Sequence, residues 1–105
     1  MSQADLQVYL NDSAGLPRTT PLFREKGLRT LLLHLKAGEK IPEHQTRGAI
    51  LVHCLQGDGA FFVFNERIAL SPGTLISVPP DAAHSLAAEQ DTLLLVTMSE
   101  QIPPP

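Results

Sequence analysis

The sequence has a single cysteine, Cys54, and is short of basic residues. One thiol cannot form an intramolecular disulfide, so the fold must be stable without such a cross-link. Eight lysines and arginines stand against eleven acidic residues, for a net charge of -3, and they form no basic stripe of the kind that neutralises phosphates. Nucleic acid is therefore not an expected partner.

Long apolar runs are also missing. Runs such as residues 49–52 and 93–96 fall far short of the roughly 20 residues that span a bilayer. No charged-then-apolar leader opens the sequence. We therefore expect a soluble protein of the reducing cytoplasm, with no membrane partner.

The chain has 105 residues, of which 43% are hydrophobic, and this suits one domain over residues 1–105 with a modest core. In an N-terminal segment at residues 1–27, apolar and polar residues alternate over residues 6–10, which predicts a short strand there. Residues 99–105 are rich in proline and predict a short extended tail.

No window of a dozen residues shows the 3.6-residue apolar period of an amphipathic helix. Short strand patterns recur instead about every 8 to 12 residues, with turn residues between them. The candidates are residues 28–36, 50–56, 60–64, 67–70, 74–78, 85–88 and 92–98. The sequence thus predicts an all-β protein, a jelly roll or barrel-like sandwich whose interior can hold a ligand.

In each of two segments a glycine precedes a histidine, by six residues in the first and by eleven in the second. In the first segment, the successive motif positions are Gly38, His44, Thr46, Ile50 and Gly57. In the second they are Gly73, Pro79, Asp81, His84 and Ala88. This spacing resembles the two motifs of the cupins, in particular the small single-domain RmlC-like barrels of cupin 2 type, over roughly residues 28–98.

The resemblance implies a double-stranded β-helix, the cupin jelly-roll barrel. Typical cupins bind a divalent transition metal through three histidines and a glutamate, but here Thr46 and Ile50 replace one histidine and the glutamate. His44 and His84 are the retained ligands, and Fe, Mn, Ni, Cu or Zn would suit imidazole. The alternative is that no metal binds, and the two histidines face each other across a cavity and bind water or a ligand.

Strand alternation predicts which neighbouring side chains join them. His44, Thr46, Ile50 and Cys54 share one parity, so together with His84 they are the predicted ligand-binding residues. His53 has the other parity and is expected to face outward, towards a partner subunit. A bulge near residue 48 would reverse this and make His53 a replacement metal ligand.

Two functions follow from these patterns. The first is a barrel that binds a small ligand in its interior, without chemistry. The alternative is a metal-dependent enzyme, of oxygenase, isomerase or decarboxylase type, acting on a small organic acid. Because the strands are apolar on both faces, a second copy is expected to cover the outer face, which predicts a homodimer.

Overall fold

The computed structural model describes residues 3–100, and within that range the chain is built almost entirely of β-strands. The elements are α1 (Leu6–Asn11), a 3-10 helix (Ser13–Gly15), β1 (Thr19–Glu25), β2 (Leu28–Leu35), β3 (Lys40–His44), β4 (Ile50–Gln56), β5 (Gly59–Val63), β6 (Glu66–Leu70), β7 (Leu75–Val78), β8 (His84–Ala88) and β9 (Thr92–Ser99). The predicted all-β class is confirmed. Of the predicted tail, Ser99 is the last residue of β9, and residues 101–105 lie outside the described range.

Two antiparallel sheets enclose the core. The five-stranded sheet has the order β1-β2-β9-β4-β7, and the four-stranded sheet has the order β3-β8-β5-β6. Strands distant in sequence are neighbours in both sheets, as a jelly roll requires. The double-stranded β-helix predicted from the motifs is therefore the observed fold.

Alternation along β4 decides what this strand contributes to each side. Ile50, Val52 and Cys54 are buried between the sheets, whereas Leu51 is 46% exposed on the outer face. The ladder with β9 runs in register from Ile50 to Cys54 and shifts only before Gln56. The strand therefore keeps one parity over the stretch that carries the predicted site residues.

The predicted strand over residues 6–10 is wrong, because this segment forms the helix α1. The side chain of Asp5 accepts a hydrogen bond from the Gln7 N–H at 3.0 Å and so caps the helix. One turn later, the Gln7 side chain donates to that of Asn11 at 2.8 Å. An alternating pattern of only five residues does not distinguish a strand from one and a half turns of helix. Here the N-cap at Asp5 favours the helix. As the only helix among residues 3–100 besides the 3-10 turn, α1 is far too short to cross a membrane.

Strands β1 and β3 were not predicted from the sequence. Each contains a proline, Pro21 in β1 and Pro42 in β3, and each lies at the edge of its sheet. An edge position tolerates proline because the outer side of an edge strand has no ladder partner for the missing N–H. The prolines argued against strands at these positions, but proline is tolerated in an edge strand.

The segment after α1 crosses the outer face of the five-stranded sheet. The His34 backbone N–H donates to the Arg18 carbonyl at 2.7 Å, and His34 Nδ1 lies 3.1 Å from the Leu16 carbonyl oxygen. The Gln56 side chain donates to the hydroxyl of Ser13 at 2.8 Å. This cover buries His34 and leaves the outer faces of β4 and β7 exposed.

Candidate functional site

A cavity of about 150 Å³ lies between the two sheets. Its wall is apolar except for three residues, His44, Thr46 and His84. The other lining residues are Leu31, Leu33, Ile41, Ile50, Val52, Phe61, Leu86, Leu94, Val96 and Met98. An apolar space with a few polar groups at one place is the usual form of a small-molecule site.

The pairing of β3 with β8 brings the two histidines together. His44 and His84 are directly opposite each other in the ladder, and their ring centroids are 4.3 Å apart. His84 is only 4% exposed, and its ring stacks on that of Phe61 with centroids 5.8 Å apart and planes inclined by 11°. His44 is the more exposed of the two. One imidazole is thus held within the core, and the other lies towards the opening.

Each ring is held through the same nitrogen by the carbonyl two residues earlier in the chain. His44 Nδ1 lies 3.0 Å from the Pro42 carbonyl oxygen, and His84 Nδ1 lies 2.9 Å from the Ala82 carbonyl oxygen. A carbonyl can only accept, so Nδ1 carries the proton and donates. In the neutral imidazole, Nε2 is then an unprotonated acceptor. The cavity therefore contains two imidazoles whose Nε2 atoms accept hydrogen bonds or bind a cation.

The two residues that replace the expected ligands have different roles in the wall. The Thr46 hydroxyl donates to the Gly48 carbonyl at 3.2 Å, so it has only acceptor capacity left for a ligand. Ile50 is buried and contributes apolar surface at the position where the family motif has glutamate. This wall therefore lacks the negative charge that the motif carboxylate would supply.

Cys54 and His53 lie elsewhere. Cys54 is fully buried in the core, outside the cavity wall, and its thiol donates to the Gln56 carbonyl at 3.6 Å. Burial raises the pKa of the Cys54 thiol, so it stays protonated at neutral pH. His53 is half-buried on the outer face, between Leu75 of β7 and Leu95 of β9. This is the direction that alternation predicts, with no bulge to turn His53 inward.

A resident metal ion does not fit the side chains of this cavity. Residues 3–100 contain no group of three or more histidine, cysteine or acidic side chains placed to bind one ion. His44 and His84 supply two neutral nitrogens, and His53 lies on the far side of the sheet. Transition-metal sites in proteins need three or four such donors, and usually an anionic one to offset a dication.

One charged residue on the inner face was not singled out from the sequence. Arg29 pairs with Met98 across the β2–β9 ladder, and Met98 lines the cavity. The signal was present in the sequence, because Arg29 has the parity of Leu31 and Leu33 in the same strand. A charge at the end of an inward apolar row is the feature that alternation could have revealed.

Comparison with known proteins agrees with this fold. The model of the Cupin domain family matches residues 31–99, which is more than half of the chain. No curated protein matches the sequence significantly.

Solved structures share the architecture. Protein TT1209 of Thermus thermophilus superposes with a TM-score of 0.81 at 22% identity, over 97% of this chain and 100% of that one. A cupin superfamily protein of Desulfitobacterium hafniense gives 0.74 at 22% identity, over 79% of this chain and 76% of the other. An RmlC-like cupin of Shewanella frigidimarina gives 0.75 at 19% identity, over 79% and 75%. At these identities the likeness concerns the fold alone, and together with the matched family model it shows that the chain belongs to the cupin domain family.

Proposed function

We propose that this cupin binds a small, largely apolar molecule between its sheets and orients it by a hydrogen bond from a ligand hydroxyl to one of the two Nε2 atoms of His44 and His84. The observation that carries the proposal is the pair of Nδ1 contacts with backbone carbonyls, which leaves both Nε2 atoms as acceptors in an apolar cavity. A buried acceptor is costly unless it is hydrogen-bonded, so a ligand that presents a donor is favoured over a hydrocarbon. Binding without chemistry is the function that this wall supports best.

The size of the cavity limits the ligand. A cavity of about 150 Å³ is comparable to the engineered apolar cavity of another protein that binds benzene. The ligand body therefore resembles a single ring or a short branched chain, and the neutral probe of matching size and chemistry is benzyl alcohol.

We predict that benzyl alcohol binds the wild-type protein saturably, and that the double variant His44→Leu/His84→Leu weakens binding by about tenfold, the equivalent of one lost hydrogen bond. Isothermal titration calorimetry gives the dissociation constants, and thermal melts verify that each variant is folded. Filling the cavity with Val52→Phe should abolish binding altogether.

The matched control is His53→Leu, which removes an imidazole from the outer face of a neighbouring strand and should leave the dissociation constant unchanged. The proposal fails if the wild-type protein shows no saturable binding, or if His53→Leu weakens it as much as the cavity variants do.

A second copy of the chain is the proposed partner of the outer face of the five-stranded sheet. Leu51 and Leu75 are 46% and 64% exposed there, with His53 and Leu95 beside them. The ladder also places Thr97 opposite Leu51, so this patch contains no acidic residue, lysine or arginine. Interface centres are typically depleted of charge, and an uncharged apolar patch can pair with itself about a twofold axis.

We expect the wild-type protein to have the mass of two chains in light scattering coupled to size-exclusion chromatography, and Leu51→Glu and Leu75→Glu to have the mass of one. Burying a new carboxylate against its symmetry mate is strongly unfavourable. Phe64→Glu, at an equally exposed apolar residue that follows β5 of the other sheet, should remain dimeric. A single-chain mass for the wild type, or dissociation by Phe64→Glu alone, would contradict this assignment.

We also place the protein in the cytoplasm. The support is the lone buried thiol of Cys54, which suits a compartment where thiols stay reduced.

A further inference from the structure

Arg29 lies where the inner face of β2 reaches the end of the cavity. Leu31 and Leu33, two and four residues later, line the cavity, and the ladder partner of Arg29, Met98, lines it as well. The guanidinium therefore belongs to the inner face of the sheet, where its second ladder partner is another cation, Arg24 of β1. A charge on such a face needs a counter-charge or a hydrogen-bond partner.

The contacts within the chain leave this requirement unmet. Arg29 Nη2 donates to the Met98 sulfur at 3.8 Å, and a thioether is a weak acceptor. Arg29 Nε is buried and has no hydrogen-bond partner among residues 3–100. Within the same range, the carboxylates that pair with cations lie beside other residues, Arg18, Arg24, His34 and Arg67. An oriented, unpaired guanidinium is a ready partner for a carboxylate from elsewhere.

A cleft of about 360 Å³ adjoins the cavity at this end. Thr46 and Met98 line both spaces, so the cleft lies directly beside the cavity. Arg29 and Arg47 also line the cleft, and its one carboxylate, that of Glu100, already pairs with Arg24 at 3.2 Å. The cleft is therefore a cationic place on a chain whose net charge is -3, and it should attract anions.

We infer that the ligand is a small hydroxycarboxylic acid, whose apolar body fills the cavity, whose hydroxyl donates to one Nε2 of the His44 and His84 pair, and whose carboxylate binds Arg29 with Arg47 beside it. This inference rests on the proposed function and names the class of ligand. The planar guanidinium matches the two oxygens of a carboxylate, and its charge gains a counter-charge that the described contacts of Arg29 do not provide. A phosphate monoester also presents negatively charged oxygens to an arginine and is the competing class of ligand.

The test compares acids with uncharged analogues of the same shape. The probes are 3- and 4-hydroxybenzoate, each against its hydroxybenzamide, titrated by calorimetry into the wild-type protein and into Arg29→Gln. For the better of the two isomers we expect the acid to bind at least about tenfold more tightly than the amide, the advantage to vanish in Arg29→Gln, and the amide to bind both proteins equally. Arg67→Gln, which removes an arginine from β6 of the other sheet, should keep the full advantage.

A measurement on the wild type alone guards against a variant that does not fold. The preference for acid over amide should shrink as ionic strength rises, because salt partly screens the attraction between Arg29 and the ligand carboxylate. Tighter binding of phenyl phosphate than of hydroxybenzoate would overturn the carboxylate assignment.

The outcomes separate this inference from the function on which it rests. If benzyl alcohol and the amides bind but the acids gain nothing, the hydroxyacid inference is wrong and the proposed binding function stands. If none of the probes binds saturably, both are wrong. An acid preference that persists in Arg29→Gln would move the anion site away from Arg29 and overturn the inference.

Discussion

Replacing Gly57 with alanine is expected to lower the free energy of unfolding by about 3 to 5 kcal/mol, a large part of the stability of a domain of this size. Gly57 has a φ of 115°, a conformation that residues with a Cβ rarely adopt. A Cβ at this position would also collide with the Thr92 side chain and with the backbone of Asp91. The clash cannot be relieved cheaply, because Thr92 is buried and its hydroxyl bonds the carbonyls of Asp58 and Gln90 at 3.1 and 2.9 Å.

Gly73→Ala is the matched control for Gly57→Ala. Gly73 has a φ of 94°, but a Cβ built there meets nothing within 4 Å. Alanine at this position should therefore cost only the backbone strain, about 1 to 2 kcal/mol. Urea unfolding of the two variants gives both values, and their difference isolates the steric part. Equal losses in the two variants would contradict the close contact between Gly57 and Thr92.

Phe61→Ala is expected to cost about 3 to 5 kcal/mol, because it removes a large side chain from a close-packed core. Phe61 is 1% exposed, lines the cavity and stacks on the ring of His84. Its loss should also enlarge the cavity and loosen that imidazole. Residual folded protein should then bind benzyl alcohol more weakly and accept bulkier alcohols that the wild type rejects.

The next residue in β5 provides the control for Phe61. Phe62 is 39% exposed on the opposite face, so Phe62→Ala should cost under about 1 kcal/mol and leave ligand binding unchanged. Chemical unfolding and calorimetry on the two variants form the comparison. A large loss at Phe62 with a small one at Phe61 would contradict the assignment of the inner and outer faces of β5.

The fold was predictable because its signals are local or repeat at fixed spacing. Strands such as β4 and β9 have apolar runs bounded by turn residues, and the glycine-to-histidine spacing matched a known barrel. Helix α1 was not predictable in the same way, because the choice between helix and strand depends on one N-cap at Asp5 rather than on the spacing of apolar residues. Strands β1 and β3 were hidden by prolines whose cost disappears only once their edge positions are known.

The candidate site was predictable in part. Parity placed Ile50 and His53 on opposite faces, and the observed ladder agrees. That His44 and His84 are direct neighbours depends on the pairing of β3 with β8, and this pairing is a property of the sheet rather than of either strand. The tautomer of each histidine depends on the carbonyls of Pro42 and Ala82, and no pattern of side chains reveals these contacts. Cys54 shares the inward parity, but its depth in the core separates it from the cavity.

The position of β9 within its sheet affects how the chain folds during its synthesis. This strand is the last along the described chain, yet it lies between β2 and β4 and bonds to both. During synthesis, β2 and β4 therefore leave the ribosome before the strand that joins them, and until it appears each can pair along one edge only, β2 with β1 and β4 with β7. A polypeptide halted before Thr92 would present two unpaired strand edges to its neighbours, so incomplete chains should aggregate whereas finished ones fold.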